Sequence, residues 1–228
     1  MTNNKHQPID FKLYAIADRS LCEPLSLHDV IHNLLDAGVT AIQLREKDLG
    51  DVEFFDLAAP IAELCKSYSA RLFVNSRVEI ALKLGVHGLH FPASTQSIEQ
   101  FKVQTGEGLL IGCSIHSLGE AQAREKDGAD FVTYSPIFPT ASKPGYGPTV
   151  GLKKLDDLTS AIEIPVFALG GVSPCRIREC IEAGAYGVAV MSGLMVPETG
   201  IERAREYLRE LEKWKACQDD TGSDYRGF

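Results

Sequence analysis

No apolar run in the sequence approaches the roughly 18 to 20 residues that span a bilayer, and the polar start, Met1 to Asp10, has no signal-peptide core. These absences predict a cytoplasmic protein with no membrane partner. No CxxC pair occurs among the six cysteines (Cys22, Cys65, Cys113, Cys175, Cys180, Cys217), so neither a zinc site nor a disulfide framework is signalled. The thiols read instead as small interior hydrophobes. Basic clusters are missing too, and the formal net charge is -8. That excludes a nucleic-acid partner, because a phosphate backbone calls for a basic face. Any anionic ligand must be met by local charge. No G-x-G-x-x-G follows the first apolar stretch, which argues against a dinucleotide fold.

What is present is regular. The 44% hydrophobic and 24% charged content is that of an ordinary globular chain, and 228 residues suffice to bury one large core. Eight short apolar stretches read as strands: Lys12 to Ala17, Thr40 to Arg45, Arg71 to Asn75, His87 to Phe91, Leu109 to Ser114, Asp130 to Ser135, Pro165 to Leu169 and Gly187 to Met191. Helical spacing separates them, as in Leu27, Val30, Ile31, Leu34 and Leu35 before the stop at Gly38. Ser117 with Glu120 three residues on predicts a capping box at the fifth helix. Strict alternation implies parallel strands with right-handed crossovers. Eight units predict a single-domain α/β fold, the closed (β/α)8 TIM barrel. The domain reading is a polar leader over 1–11, the barrel over 12–215, and a polar, disordered tail over 216–228.

A barrel of this kind carries its chemistry at the C-terminal ends of the strands. There the sequence places Gln43, Arg45 and Lys47 after the second strand, Asn75 after the third, His90 in the fourth, and Ser114 and His116 after the fifth. Thr140, Ser142 and Lys143 lie in a long loop after the sixth, and Pro139, Pro144 and Gly145-Tyr-Gly147 suit that loop to closing over a ligand. Gly170-Gly171 and Ser192-Gly193 end strands seven and eight. Glycine lets backbone N–H groups approach a ligand, which predicts a phosphate cradle there. Plainer alternatives stand beside these. Lys47 suits a surface pair with Glu46 or Asp48, His90 a buried structural imidazole, Asn75 a helix cap, and the glycines simple turns. His116 sits between polar Ser114 and Ser117, which makes it the histidine least easily read as core.

Gln43-Leu-Arg-Glu-Lys47, Val74-Asn-Ser-Arg-Val-Glu-Ile-Ala-Leu82, Ser114-Ile-His-Ser117, Pro136-Ile-Phe-Pro-Thr140 with Lys143, Ala168-Leu-Gly-Gly-Val172 and Val190-Met-Ser192 together resemble the thiamine phosphate synthase and TenI family, from about Leu13 to Leu211. In the synthases, the resemblance implies, Mg2+ helps a pyrimidine pyrophosphate leave while the nitrogen of a thiazole phosphate attacks. Gln43, Arg45, Lys47, Asn75 and Lys143 match residues holding the pyrimidine and pyrophosphate, and the glycine pairs with Ser192 match the thiazole-phosphate site. This sequence departs at two places. Ser76 stands where synthases carry Asp, and Thr95 lies where they carry an acidic residue, both Mg2+ ligands in the family. Neutral hydroxyls are poor substitutes for carboxylates toward a hard cation.

The TenI branch of thiazole tautomerases lacks the same carboxylates. The resemblance to it implies that His116 moves a proton to aromatise a thiazole carboxylate phosphate, without a metal. The expectation is therefore a tautomerase with a small-molecule thiazole phosphate as ligand, no cofactor, His116 as catalytic acid and base, and substrate contacts from Gln43, Arg45, Lys47, Asn75, Ser114, Thr140, Ser142 and Lys143. Gly170, Gly171, Ser192 and Gly193 hold its phosphate. The alternatives are a thiamine phosphate synthase, which brings Mg2+ with it, and a non-catalytic sensor of thiazole or thiamine phosphate. A homo-oligomer is compatible with all three.

Overall fold

The computed structural model describes residues 9–105, 108–140 and 148–220, with side chains through Trp214 in the last helix. Eight strands, β1 (Leu13–Ala17), β2 (Ala41–Leu44), β3 (Arg71–Asn75), β4 (Gly88–Phe91), β5 (Leu110–Ile115), β6 (Phe131–Tyr134), β7 (Val166–Leu169) and β8 (Gly187–Val190), form a closed barrel in chain order. Every neighbouring pair is parallel, and β8 returns to β1 with Val188 opposite Leu13. The (β/α)8 expectation holds.

The helices form where the apolar spacing placed them. In α1 (Leu27–Asp36) the Ser26 hydroxyl accepts the Asp29 N–H at 3.1 Å, and Leu27, Val30, Ile31, Leu34 and Leu35 are all buried against the strands. α2 (Asp51–Ser67), α3 (Val78–Leu84), α4 (Glu99–Thr105), α5 (Leu118–Lys126), α6 (Gly151–Thr159) and α7 (Ile177–Glu182) cover the barrel in turn. A one-turn helix after β8, α8 (Ser192–Met195), was not foreseen from the sequence. The last helix, α9 (Gly200–Asp220), runs past the expected end near Lys215. So 216–220 continue a helix rather than open a tail, and 221–228 lie outside the described residues.

The barrel interior is divided into two levels. Its N-terminal half is filled by aromatic side chains: Phe11 lies 5.3 Å from Phe167 and Tyr14 lies 5.2 Å from Phe73 and 5.4 Å from Phe131, ring centre to ring centre. These rings bury large areas and leave no channel. Above them the interior turns polar, with Gln43, His90 and Thr133 buried. That change marks the floor of the site. Cys22, Cys65, Cys113 and Cys180 are buried free thiols as expected, while Cys175 is exposed.

Candidate active site

A cavity of about 760 Å³ opens at the C-terminal ends of the strands. It gathers Gln43, Arg45, Lys47 and Asn75 from one side of the ring and Ser114, His116 and Thr140 from the other. Gly170, Gly171, Ser192 and Gly193 line its far wall. Ser142 and Lys143, within the 141–147 stretch of the loop expected to close over the site, lie outside the described residues.

The segment after β2 is held from beneath. Arg19, in a short turn after β1, donates to Glu46 through its backbone N–H (2.8 Å) and its guanidinium (2.5 Å), and to both oxygens of Asp48 (2.8 and 2.5 Å). Arg77 reaches the same loop from below, through the Glu46 and Leu49 carbonyls and the Asp51 carboxylate. Glu46 is buried, and that burial raises its carboxyl above the usual range despite the Arg19 contacts. Asp48 is pulled down to about 2 by its hydrogen bonds to Arg19. Both acids beside Lys47 are therefore spent on Arg19, which disposes of the surface-pair reading of Lys47. Lys47 instead faces the cavity next to Arg45, whose charge lowers the Lys47 ammonium from its ordinary value.

The floor is a chain of buried hydrogen bonds. Gln43 Nε2 donates to Tyr14 Oη at 3.2 Å, Tyr14 Oη meets His90 Nδ1 at 3.5 Å, and His90 Nε2 meets Ser114 Oγ at 3.0 Å. Because Gln43 gives its proton to the tyrosine oxygen, the Tyr14 hydroxyl turns toward His90 Nδ1. The neutral imidazole then carries its proton on Nε2 and donates to Ser114. Burial, followed by the nearby Arg45 charge, holds the His90 pKa down at about 3. His90 is thus the structural imidazole of the two readings, orienting Gln43 and Ser114, which do line the cavity.

His116 stands at the wall. Its Nδ1 donates to the Ser135 carbonyl at 2.9 Å, since a carbonyl can only accept, and this makes Nε2 the acceptor of the neutral ring. Its backbone N–H is taken by Glu120 Oε2 at 2.6 Å while Ser117 Oγ caps Glu120 N at 3.2 Å. The expected capping box is therefore displaced by one residue, with Glu120 fixing the backbone of His116 rather than that of Ser117.

The glycines after β7 serve a purpose the sequence did not reveal. Gly170 and Gly171 have φ of +93° and +63°, and a Cβ on Gly171 would stand 2.4 Å from the Pro139 carbonyl oxygen and 2.9 Å from Phe138. The bare backbone thus makes room for the loop after β6, whose Phe138 N–H donates to the Gly170 carbonyl at 3.0 Å and whose Phe138 ring lies 4.3 Å beneath the Arg176 guanidinium. Gly171→Ala is expected to lose about 2 to 4 kcal/mol of stability, from overpacking and an unfavourable left-handed residue. Urea unfolding checks it; an unchanged midpoint would mean the loop is not seated on this glycine.

Gly193 is different. A Cβ there would approach Val190 Cγ1 (3.2 Å), Tyr207 Oη (3.4 Å) and Arg203 Nη1 (3.9 Å). Arg203 and Tyr207 line the cavity from α9, and sequence reasoning missed both. They follow no strand, and α9 reads as a charged surface helix.

The family resemblance implies Mg2+, but the residues present do not fit a protein-bound hard cation. Ser76, in a left-handed conformation (φ +61°), offers only a hydroxyl, which accepts from Asn75 Nδ2 at 3.3 Å. Thr95 is not part of the cavity wall, which uses Pro92, Ala93 and Ser94 after β4. Glu46 and Asp48 are engaged by Arg19. Among the described residues, no group of three or more histidines, cysteines or carboxylates is placed to hold a metal.

Residues 13–194 match the family model described as thiamine monophosphate synthase (TMP-TENI). The chain belongs to the thiamine monophosphate synthase family. A Geobacter sulfurreducens protein named "Putative thiamine-phosphate synthase" is 42% identical over 203 residues, covering 89% of this chain and 95% of that one. The thiamine-phosphate synthase of Desulfitobacterium hafniense strain Y51 is 34% identical over 190 residues, 83% of this chain and 92% of its own. Among solved structures, thiamine phosphate pyrophosphorylase from Pyrococcus furiosus superimposes with a TM-score of 0.79 at 32% identity, covering 89% of this chain and 96% of that one. These relatives overturn the expected tautomerase. They bear the synthase's name, and nothing among them singles out the TenI branch of this family. Among the described residues, no helix is long and apolar enough to cross a membrane.

Proposed function

We propose that this family member is a thiamine-phosphate synthase, joining a pyrimidine pyrophosphate to a thiazole phosphate. The observation that carries the reading is the adjacent pair of cations, Arg45 and Lys47, at the cavity mouth. The acids between and beside them are bound to Arg19, so the pair is left to meet an anionic ligand. A pyrophosphate relieves the repulsion that lowers the Lys47 ammonium.

The reaction forms one bond and breaks one. The thiazole nitrogen lone pair makes the N–C bond to the methylene carbon of the pyrimidine, the C–O bond breaks, and its electrons leave on pyrophosphate. Arg45 and Lys47 hold that leaving group, and the family resemblance adds Lys143 as a third cation for it. Gln43, Asn75 and Ser114 orient the pyrimidine above the hydrogen-bonded floor. Ser192 and Gly193 hold the phosphate of the thiazole, and Thr140 belongs to the wall that excludes water. No carboxylate seat for Mg2+ is part of this proposal.

The test supplies both substrates and follows thiamine phosphate by mass spectrometry, across added Mg2+ and with a chelator. Absence of product under every condition would sink the reading. Attack by nitrogen takes no proton from carbon, so His116→Asn is expected to keep its turnover within about tenfold. A general acid or base would lose about 10² to 10⁴, and a loss of that size would give His116 a proton-transfer step that the synthase reaction lacks.

A further inference from the structure

We propose that Arg203 on α9 is a binding residue for the dianion of a phosphate monoester, completing the phosphate end of the cavity. The inference rests on the synthase reading for the identity of the ligand, the phosphorylated thiazole, and on the structure for its place.

Two neutral features form that end of the site: the turn at Ser192-Gly193 and the loop carrying Gly170-Gly171. Backbone N–H groups suit phosphate oxygens, but α8 is a single turn and contributes no useful axial dipole. A dianion drawn out of water needs formal positive charge within reach. Arg45 and Lys47 belong to the strand-two side, where the leaving pyrophosphate is held. Arg203 is the cation among the described residues that lines the same cavity beside Gly193, its Nη1 3.9 Å from where a Cβ of Gly193 would stand.

The first turns of α9 are held in place. One turn beyond Arg203, the buried Tyr207 donates from Oη to the Val172 carbonyl at 2.6 Å, tying the helix to the segment that follows Gly171. Gly200 N–H donates to the Val196 carbonyl at 2.8 Å at the start of the same helix. Glu202 and Glu206 flank Arg203 in sequence, yet among the described residues no carboxylate forms a salt bridge with it. A planar guanidinium in that position offers two parallel N–H donors to a phosphate, a geometry that an ammonium does not match.

The experiment compares wild type, Arg203→Gln and Arg203→Lys, each checked for native folding by circular dichroism. For Arg203→Gln the KM for thiazole phosphate should rise about 10- to 100-fold, the loss expected for charge-assisted hydrogen bonds. Its KM for pyrimidine pyrophosphate and its affinity for the unphosphorylated thiazole alcohol should not change, and Arg203→Lys should recover part of the loss. Unchanged affinity for thiazole phosphate in Arg203→Gln would overturn the assignment, as would equal weakening toward the unphosphorylated alcohol. Calorimetric binding of inorganic phosphate is measured in parallel and needs no turnover. If wild type made no thiamine phosphate while phosphate binding still fell in Arg203→Gln, the synthase reading would fail and the Arg203 assignment would stand.

Discussion

Arg45→Gln is expected to lower kcat for thiamine phosphate formation by about 10²- to 10³-fold, the range seen when one preorganised donor to a developing anion is removed. In the proposed reaction, breaking the C–O bond places a full extra charge on pyrophosphate, and the proposal puts that charge beside Arg45 and Lys47, which line the cavity together. The rate should suffer more than binding, since the charge is greatest as the bond breaks. KM for the thiazole phosphate should hardly move, because the end proposed for its phosphate, at Gly193 and Arg203, lies across the cavity. Thermal stability should also be kept, as no salt bridge of the fold engages Arg45 among the described residues. A variant within threefold of wild-type kcat would show that the leaving group departs elsewhere in the cavity.

Acid sensitivity should follow from His90. Its pKa is about 3 in the folded chain against an ordinary 6.5, burial being the main cause. Above pH 6.5 the imidazole is neutral both folded and unfolded, and it contributes no slope. Below that, the unfolded chain takes up a proton that the folded chain refuses until pH is near 3, so stability falls as pH drops through this window. The full gap corresponds to on the order of 5 kcal/mol. His87, also lowered by burial, tilts the curve the same way. Asp48, held at about 2, adds its own loss only at lower pH, as it is protonated there. The diagnostic quantity is therefore the difference between proteins: His90→Gln should flatten the decline between pH 6.5 and 4.5 in urea unfolding. Parallel curves for wild type and variant would remove His90 from the account.

The barrel was legible because fully buried strands and one-sided helices write different patterns, and eight repeats of the pair leave few ways to close. The mouth was legible at Gln43, Arg45, Lys47, Ser114 and His116, since polar residues ending apolar strands have few other uses. The support beneath was not. Asp18-Arg19-Ser20 reads as a turn, and nothing in it announces that Arg19 will claim Glu46 and Asp48 from the next unit. Gly171, expected to clear space for a ligand, lines the cavity and also clears space for Phe138 and Pro139, a second use that the sequence does not announce. Arg203 was missed because a cation on a helix with many charges carries no local mark. The expected reaction was wrong because the two missing carboxylates, at Ser76 and Thr95, mark the sequence more plainly than the retained cations do.

The pairing of β8 with β1 carries a consequence for how the molecule is made. Ala15, Ile16 and Ala17 pair with Ile42, Gln43 and Leu44 of β2, whereas Leu13, Tyr14 and Ala15 pair with Val188, Ala189 and Val190, which belong to the last of the barrel's strands to be synthesised. Until those residues leave the ribosome, the nascent chain presents an open parallel edge with an aromatic interior beneath it, the kind of surface that invites wrong association. Ser192, Gly193 and Arg203 emerge in the same final stretch. Closing the edge and completing the end of the cavity proposed for phosphate therefore belong to one late event in the making of each barrel.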